Sequence, residues 1–254
     1  AFYVDHFRLI PPCSDLGYKE EIINICRDFK IDILLPLYEK EFYVLDSIRE
    51  DLERNGTLIM LSDKKVLDIC DDKWKTYQFF KENSINTPVS FINKQECNLE
   101  FPMFIKPRTG MGSSNSFSVN NREELDFYYE RILAPIIQEK LTGIEYTIDC
   151  ISDLEGRVVS VVPRKRIEVR AGEVTKTRTV KDKELVEKTA FVVEKLGSIG
   201  PSTVQCFRTE DGSIKFTEIN PRVGGGVPLA IEAGIDYGKI FIDMINGNKS
   251  EIMI

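Results

Sequence analysis

A mixed α/β (α+β) fold of more than one subdomain is what the pattern of this chain predicts. Three observations carry the prediction. Helical and strand patterns alternate over the first seventy residues, strand patterns dominate after Ile144, and a hairpin closes the strand-rich part at residues 203–219. With 254 residues, 42% of them hydrophobic and 30% charged, the chain can bury cores of this kind.

The elements follow in order. Residues 18–29 carry Ile22, Ile23, Cys26 and Phe29 at helical spacing, 31–37 read as a buried strand, 39–54 as a helix and 57–61 as a second strand. Such alternation implies a parallel sheet, here the end of a Rossmann-like unit whose first strand is expected to precede Ala1. No G-x-G-x-x-G is present, so this part reads as scaffold or substrate-binding surface. Ser62 and Asp63 cap a short helix, and Asp71 and Asp72 cap the next, over 73–81. Residues 83–88 mark a boundary. Beyond it, residues 101–138 hold two strand signals, a glycine- and serine-rich loop and a helix over 122–131. Residues 144–150, 158–162 and 164–170 alternate as strands, 182–195 form a helix, and 240–254 hold a helix with a short apolar end.

Bulk properties exclude several function classes. The net charge of -7 argues against nucleic acid as the main partner, since phosphate backbones demand clustered Lys and Arg. No apolar run approaches the roughly 20 residues that cross a bilayer, so no membrane partner is expected. The start has no signal pattern and no initiator Met, and further residues are expected upstream. Cysteines 13, 26, 70, 97, 150 and 206 form no C-x-x-C pair and sit mostly in apolar or amphipathic runs, which fits free thiols and a cytoplasmic setting. A single histidine, His6, argues against a Ser-His-Asp triad or a histidine zinc site.

The chemistry concentrates in a few runs. Asp211-Gly212 is a two-residue turn signal, and a hairpin symmetric about it sets Gln205 opposite Glu218 with Asn220 on the same face. Three oxygen-bearing side chains then converge, a donor set that suits Mg²⁺. Arg222 follows, in reach of phosphate oxygens; a solvated strand face before Pro221 is the competing reading of that run alone. A strand ends in Lys106, a point charge for a phosphate. After it, Gly110 and Gly112 let backbone N–H groups approach an anion, and Ser113, Ser114 and Asn115 add short donors. A flexible hairpin is the alternative for this loop, and it is not a P-loop. Glu139, Lys140 and Leu141 end an apolar strand where backbone groups can meet an adenine edge, with the Glu145 carboxylate near ribose hydroxyls; a strand pair with solvated charges is the alternative. Arg164, Arg166 and Arg170 alternate onto one face, either to receive a carboxylate or as a solvated sheet face. Gly224 to Gly226 either bring N–H groups to an acyl acceptor or form a plain helix-entry turn.

In order and spacing these pieces resemble the ATP-grasp superfamily, most closely its carbamoyl-phosphate-synthase-like ATP-binding domain. The motifs are Asp72-Lys73 opening a helix, Phe101-Pro-Met-Phe-Ile-Lys-Pro107, the loop 109–116, Gln138-Glu-Lys-Leu-Thr-Gly-Ile-Glu145, Gln205, and Glu218-Ile-Asn-Pro-Arg-Val-Gly-Gly-Gly226. The resemblance implies an ATP-grasp fold of two α+β subdomains clasping ATP over residues 71–254, with a small lid at 84–137 and a large metal-binding subdomain at 138–254. Residues 1–70 resemble the Rossmann-like pre-ATP-grasp domain. It implies that Lys73 and Lys106 contact ATP phosphates, that the loop from Gly110 closes over them, that Glu139 to Leu141 bind adenine and that Glu145 binds ribose. Gln205, Glu218 and Asn220 would hold one or two Mg²⁺ ions, Mn²⁺ being an alternative, while Arg222 and Lys106 would stabilise the transferred phosphoryl group. Gln205 departs from the carboxylate of many relatives, although the carbamoyl-phosphate-synthase branch shares it, and the loop is rich in Ser and Asn. The implied activity is a ligase converting a carboxylate or bicarbonate to an acyl phosphate for attack by an amine. Its partners are those small molecules, with a homodimer in keeping with relatives. A stand-alone carboxylate–amine ligase fits one such half better than a complete carbamoyl-phosphate synthase. The alternative is a nucleotide-binding module without turnover that regulates a partner; a Rossmann oxidoreductase would need a glycine fingerprint before Ala1.

Overall fold

The structure, a computed structural model, describes residues 4–110, 112, 114–170 and 173–249, the side chains of Arg170 and Glu173 excepted. Apolar residues at helical spacing bury one face of α1 (Tyr18–Asp28) through Tyr18, Ile22 and Cys26. That face packs with α2 (Phe42–Asp46) and α3 (Arg49–Arg54) in one apolar cluster beside β2 (Leu58–Ile59), which pairs in parallel with β1 (Ile33–Leu34). The helix expected over 39–54 is broken: a 3₁₀ turn, Glu39–Glu41, precedes α2, and Ser47 and Ile48 separate α2 from α3. The Ser47 hydroxyl turns back to donate to the Val44 carbonyl at 2.6 Å, a local bond that competes with helix propagation, and Ile48 drops into the core.

The aspartate caps form as the sequence indicates. Asp63 accepts from the Val66 N–H at the start of α4 (Lys64–Asp71), and Asp72 accepts from the Trp74 N–H at the start of α5 (Lys73–Glu82). A four-stranded antiparallel sheet follows, made of β3 (Ser90–Phe91), β4 (Met103–Pro107), β5 (Phe117–Val119) and β6 (Pro135–Glu139) in the order β3-β6-β4-β5. Met103, Ile105, Val119 and Ile137 from this sheet pack on Leu125 of α6 (Arg122–Arg131).

The largest unit is a five-stranded antiparallel sheet. Its strands are β7 (Ile144–Ser152), β8 (Val158–Arg170), β9 (Glu173–Thr179), β10 (Gly200–Arg208) and β11 (Ile214–Asn220), in the order β11-β10-β7-β8-β9. Residues from α5 and from α7 (Lys183–Leu196) cover its apolar face with Ile148, Cys150, Val204, Cys206 and Phe216. Helices α8 (Val227–Glu232) and α9 (Tyr237–Ile245) complete the described chain, and α9 packs on Met60, Ile151 and Val159. The rest of the helix and apolar end expected at 240–254 lies partly outside the described residues. Two strands were expected around Pro163; β8 instead runs through it. The Pro163 carbonyl accepts from the Val180 N–H at 3.0 Å, just past the last β8–β9 pair, Arg164 with Thr179. On an antiparallel strand a residue's nitrogen and carbonyl face the same neighbour, so the missing N–H falls where the ladder has ended.

The β10–β11 hairpin decides which side chains meet. Its loop is longer than the two-residue turn expected: Arg208 pairs with Ile214, the Gly212 N–H donates to the Thr209 carbonyl, and Gly212 takes a φ of 84°. A type I turn ending in a left-handed glycine explains that length. Farther along, a bulge between Gln205 and Cys206 leaves Thr217 without a paired partner. The two departures cancel, and Gln205 stands opposite Glu218. The bulge also shifts the phase of β11. Ile214 and Phe216 face the core before it and Ile219 after it, so Glu218 and Asn220 turn to the opposite face.

Candidate nucleotide and metal site

The non-core face of the five-stranded sheet is polar because alternation puts it there. Glu145, Thr147 and Asp149 of β7 lie on it, Gln205 pairs with Thr147, Thr203 with Asp149, and Glu218 and Asn220 pair with Gln205 and Thr203. Asn220 donates from Nδ2 to Glu218 Oε1 at 3.1 Å, which orients its own carbonyl oxygen away from that carboxylate. The three donors are hard oxygens, and among the described residues no cluster of three or more His, Cys, Asp and Glu side chains could hold a metal. A set with one carboxylate and two amide oxygens fits Mg²⁺, which completes its shell with water and phosphate.

Lys106 enters from β4 of the other sheet. Burial pulls its ammonium down to about 8, and Lys73 pushes the same way; Glu218 and Glu145 oppose them. Burial also raises the Glu145 carboxyl, against the pull of Arg166, whose Nε lies 3.2 Å away. Lys106, Lys73, Glu145 and Glu218 therefore share one electrostatic environment although they come from three different parts of the fold. The Lys73 backbone N–H donates to the Arg108 carbonyl, and its Nζ donates to the Gly110 carbonyl at 2.9 Å, so α5 is tied to the glycine loop. Gly110, at φ 107°, and Gly112, at φ 70°, use conformations that favour glycine, and Ser114 is exposed beside them. Ser113 lies outside the described residues.

At the hinge, the Glu139 N–H donates to the Val89 carbonyl, and its carboxylate pairs with Lys215 of β11 at 2.6 Å. Lys140 is exposed and Leu141 half-buried. Arg222 is not free either: its Nε donates to Glu39 at 2.8 Å. Of the basic face expected at 164–170, Arg164 is neither solvated nor open to an incoming carboxylate. Arg164 is 2% exposed and makes a two-point pair with Asp149, at 2.5 and 3.0 Å. Arg166 pairs with Glu145, and the side chain of Arg170 lies outside the description. The glycine run enters α8, and the same pair crowds two of its three members. A Cβ on Gly226 would stand 2.1 Å from Arg164 Nη1, and one on Gly224 would stand 3.0 Å from Asp149 Oδ1. Glu39, Asp149 and Lys215 are the residues that sequence reasoning missed, and no local pattern marks them. Two cavities, of about 240 and 420 Å³, lie elsewhere, around Leu154 and Met244.

A model of the ATP-grasp domain matches residues 70–226, more than half of the 254. The chain belongs to the ATP-grasp family. A model of the PylC-like N-terminal domain matches residues 1–60 of this ATP-grasp protein. Among curated relatives, the carbamoyl phosphate synthase large chain of Thermoanaerobacter sp. (strain X514) is 26% identical over 92% of this chain and 26% of its own length. The D-alanine–D-alanine ligase of Fusobacterium nucleatum subsp. nucleatum is 26% identical over 60% of the chain and 56% of its own. The ATP-grasp chain thus spans about a quarter of the first relative and somewhat over half of the second. Its fold matches the biotin carboxylase of Campylobacter jejuni with a TM-score of 0.77, at 15% identity over 93% of this chain and 59% of that one. No described helix is long and apolar enough to cross a membrane.

The depressed Lys106 ammonium gives this ATP-grasp site a pH signature. Below about 8 the lysine is charged and nucleotide binding is independent of its titration. Above it, were Lys106 to contact a nucleotide phosphate as the resemblance implies, the free protein would have lost a proton that binding must restore, and affinity would fall by about tenfold per pH unit. Calorimetry at pH 9 in two buffers of different ionisation enthalpy is expected to show uptake of about one proton on binding. Equal heats in both buffers would contradict it.

Proposed function

We propose that this chain is the nucleotide-handling part of an ATP- and Mg²⁺-dependent carboxylate–amine ligase of the carbamoyl-phosphate-synthase-like type. One observation supports it above the rest: Gln205, Glu218 and Asn220 meet on one polar sheet face with Glu145, and Lys106 of the four-stranded sheet feels the Glu218 and Glu145 carboxylates. A cation and two carboxylates drawn from opposing sheets suit a nucleotide held between them. In this reading Lys73 and Lys106 bind phosphates, the Gly110–Gly112 loop excludes water, the hinge from Glu139 to Leu141 takes adenine, and Glu145 takes ribose hydroxyls. Gln205, Glu218 and Asn220 hold one or two Mg²⁺ ions, or Mn²⁺, whose charge offsets that of the phosphates. Arg222 and Lys106 stabilise the phosphoryl group as an oxygen of the substrate carboxylate bonds to phosphorus and the bond to ADP breaks. The amine nitrogen then bonds to the acyl carbon, phosphate leaves, and the amine proton passes to solvent. Bicarbonate is the simplest acid of this class; an amino acid is the larger kind.

The test is ADP and phosphate release with Mg·ATP across carboxylic acids crossed with amines, with Glu218→Ala as the blank. Release that depends on the pair and vanishes in the blank is the expected result. Nucleotide binding without release from any pair would favour a regulatory module instead. No nucleotide binding would overturn the reading.

A further inference from the structure

The partner of Arg222 comes from the far end of the chain. Glu39 opens the 3₁₀ turn Glu39–Glu41, and both side chains of the pair are about three-quarters buried, 24% and 25% exposed. Each is mounted on a fixed support. The Glu41 N–H donates to the Tyr38 carbonyl at 2.9 Å, the Tyr18 hydroxyl donates to Glu41 at 2.5 Å, and Phe42 anchors the next residue in the core. On the other side the Arg222 N–H donates to the Asn220 carbonyl at 2.8 Å, and the Thr203 hydroxyl donates to the Arg222 carbonyl at 3.1 Å. The guanidinium spends Nε on Glu39 and one Nη1 hydrogen on the Val223 carbonyl at 3.2 Å. Nη2 makes no hydrogen bond to another described residue. Glu39 also lies near the metal corner: the thiol of Cys70 is raised by burial first, then by Glu218 and Glu39 together.

As a stability element such a pair contributes little, about 0–1 kcal/mol when partly exposed. As a means of orienting a charge toward a reacting phosphoryl group it can matter far more. We infer that Glu39 is a positioning residue for Arg222, gripping the guanidinium by its Nε edge so that the Nη2 edge is left for the transferred phosphoryl group. The N-terminal part of the chain thereby completes the catalytic end of a site otherwise built after residue 70. The inference rests on the ligase reading above.

Glu39→Gln, Glu39→Asp, Arg222→Gln and the Glu39→Gln/Arg222→Gln double variant test it, read by kcat, by KM for ATP and by calorimetric affinity for Mg·ADP and for a non-hydrolysable Mg·ATP analogue. Glu39→Gln is expected to keep its melting temperature within about 3 °C of the parent. Its ADP affinity should stay within about twofold while kcat falls at least about tenfold. Glu39→Asp should restore part of kcat, and the double variant should be no worse than Arg222→Gln, as expected when two residues act as one unit. Turnover within about twofold of the parent in Glu39→Gln, or losses that multiply in the double variant, would overturn the inference. If the parent binds nucleotide but releases no ADP with any substrate pair, the ligase reading fails and the binding arm still judges Glu39. The preference for the ATP analogue over ADP then drops in Glu39→Gln to the Arg222→Gln level if Glu39 positions Arg222, and stays at the parent's level if it does not.

Discussion

Glu218→Ala is expected to cut pair-dependent ADP release by about 10²–10³-fold, the usual cost of removing one well-placed electrostatic group from a reacting centre. Glu218 is the single carboxylate in the donor set, so the variant leaves two neutral amide oxygens for a divalent cation. Affinity for Mg·ATP should fall, whereas affinity for nucleotide in the presence of a chelator should change little. The fold should survive. The side chain is half-buried and accepts one hydrogen bond, from Asn220, so the melting temperature is expected to move by no more than about 3 °C. A second readout is independent of turnover. Glu218 raises the Lys106 ammonium, so its loss should move that titration below the parent's value of about 8 and bring the fall in ATP affinity to lower pH. A variant that still turns over with Mg²⁺ at the parental rate would remove the metal corner from the mechanism.

Asp149→Ala is expected to be the most destabilising single change in the site, at about 3–5 kcal/mol, because it leaves the Arg164 guanidinium buried without its counter-charge. For a chain of this size that corresponds to a fall in melting temperature of about 10 °C. Replacing both residues with apolar ones of similar volume should recover most of the loss. Burial raises the Asp149 carboxyl, and Arg164 opposes that rise. What the double replacement should not recover is the packing of the segment after Arg222. Gly224 and Gly226 lie directly on the two charged groups, and turnover is expected to remain low when stability returns. Stability and turnover recovering together would show that the pair serves the fold alone.

Much of this was legible in the sequence wherever a local rule governs the outcome. Asp63 and Asp72 cap helices at positions that short polar residues before apolar periodicity announce. The pairing of Gln205 with Glu218 was legible too, although through two compensating irregularities that no symmetric turn contains. The break at Ser47 was not, because a serine hydroxyl returning to its own helix is one option among several until tertiary packing draws Ile48 inward. The basic run at 164–170 misled for a related reason. Alternation places Arg164 on a face but cannot say that Asp149, on the neighbouring strand, takes up its guanidinium. Glu39 and Arg222 lie 183 positions apart, and their meeting is a property of the assembled fold.

The tie between the two sheets has a mechanical consequence. Lys215 of β11 holds Glu139 at the end of β6, the Phe216 N–H donates to the Asn86 carbonyl, and Asn86 donates to the Ile214 carbonyl. The first bond fastens the end of β6 to β11, and the two Asn86 bonds hold the segment before β3 to the same strand. Glu218 sits three residues from Lys215 on that strand. At the other end of β4 the glycine loop is held as well, because Lys73 of α5 donates to the Gly110 carbonyl and Arg108 pairs with Asp72. Lys106 therefore lies on a strand anchored at both ends, to β11 through Glu139 of its neighbour β6 and to α5 through Gly110.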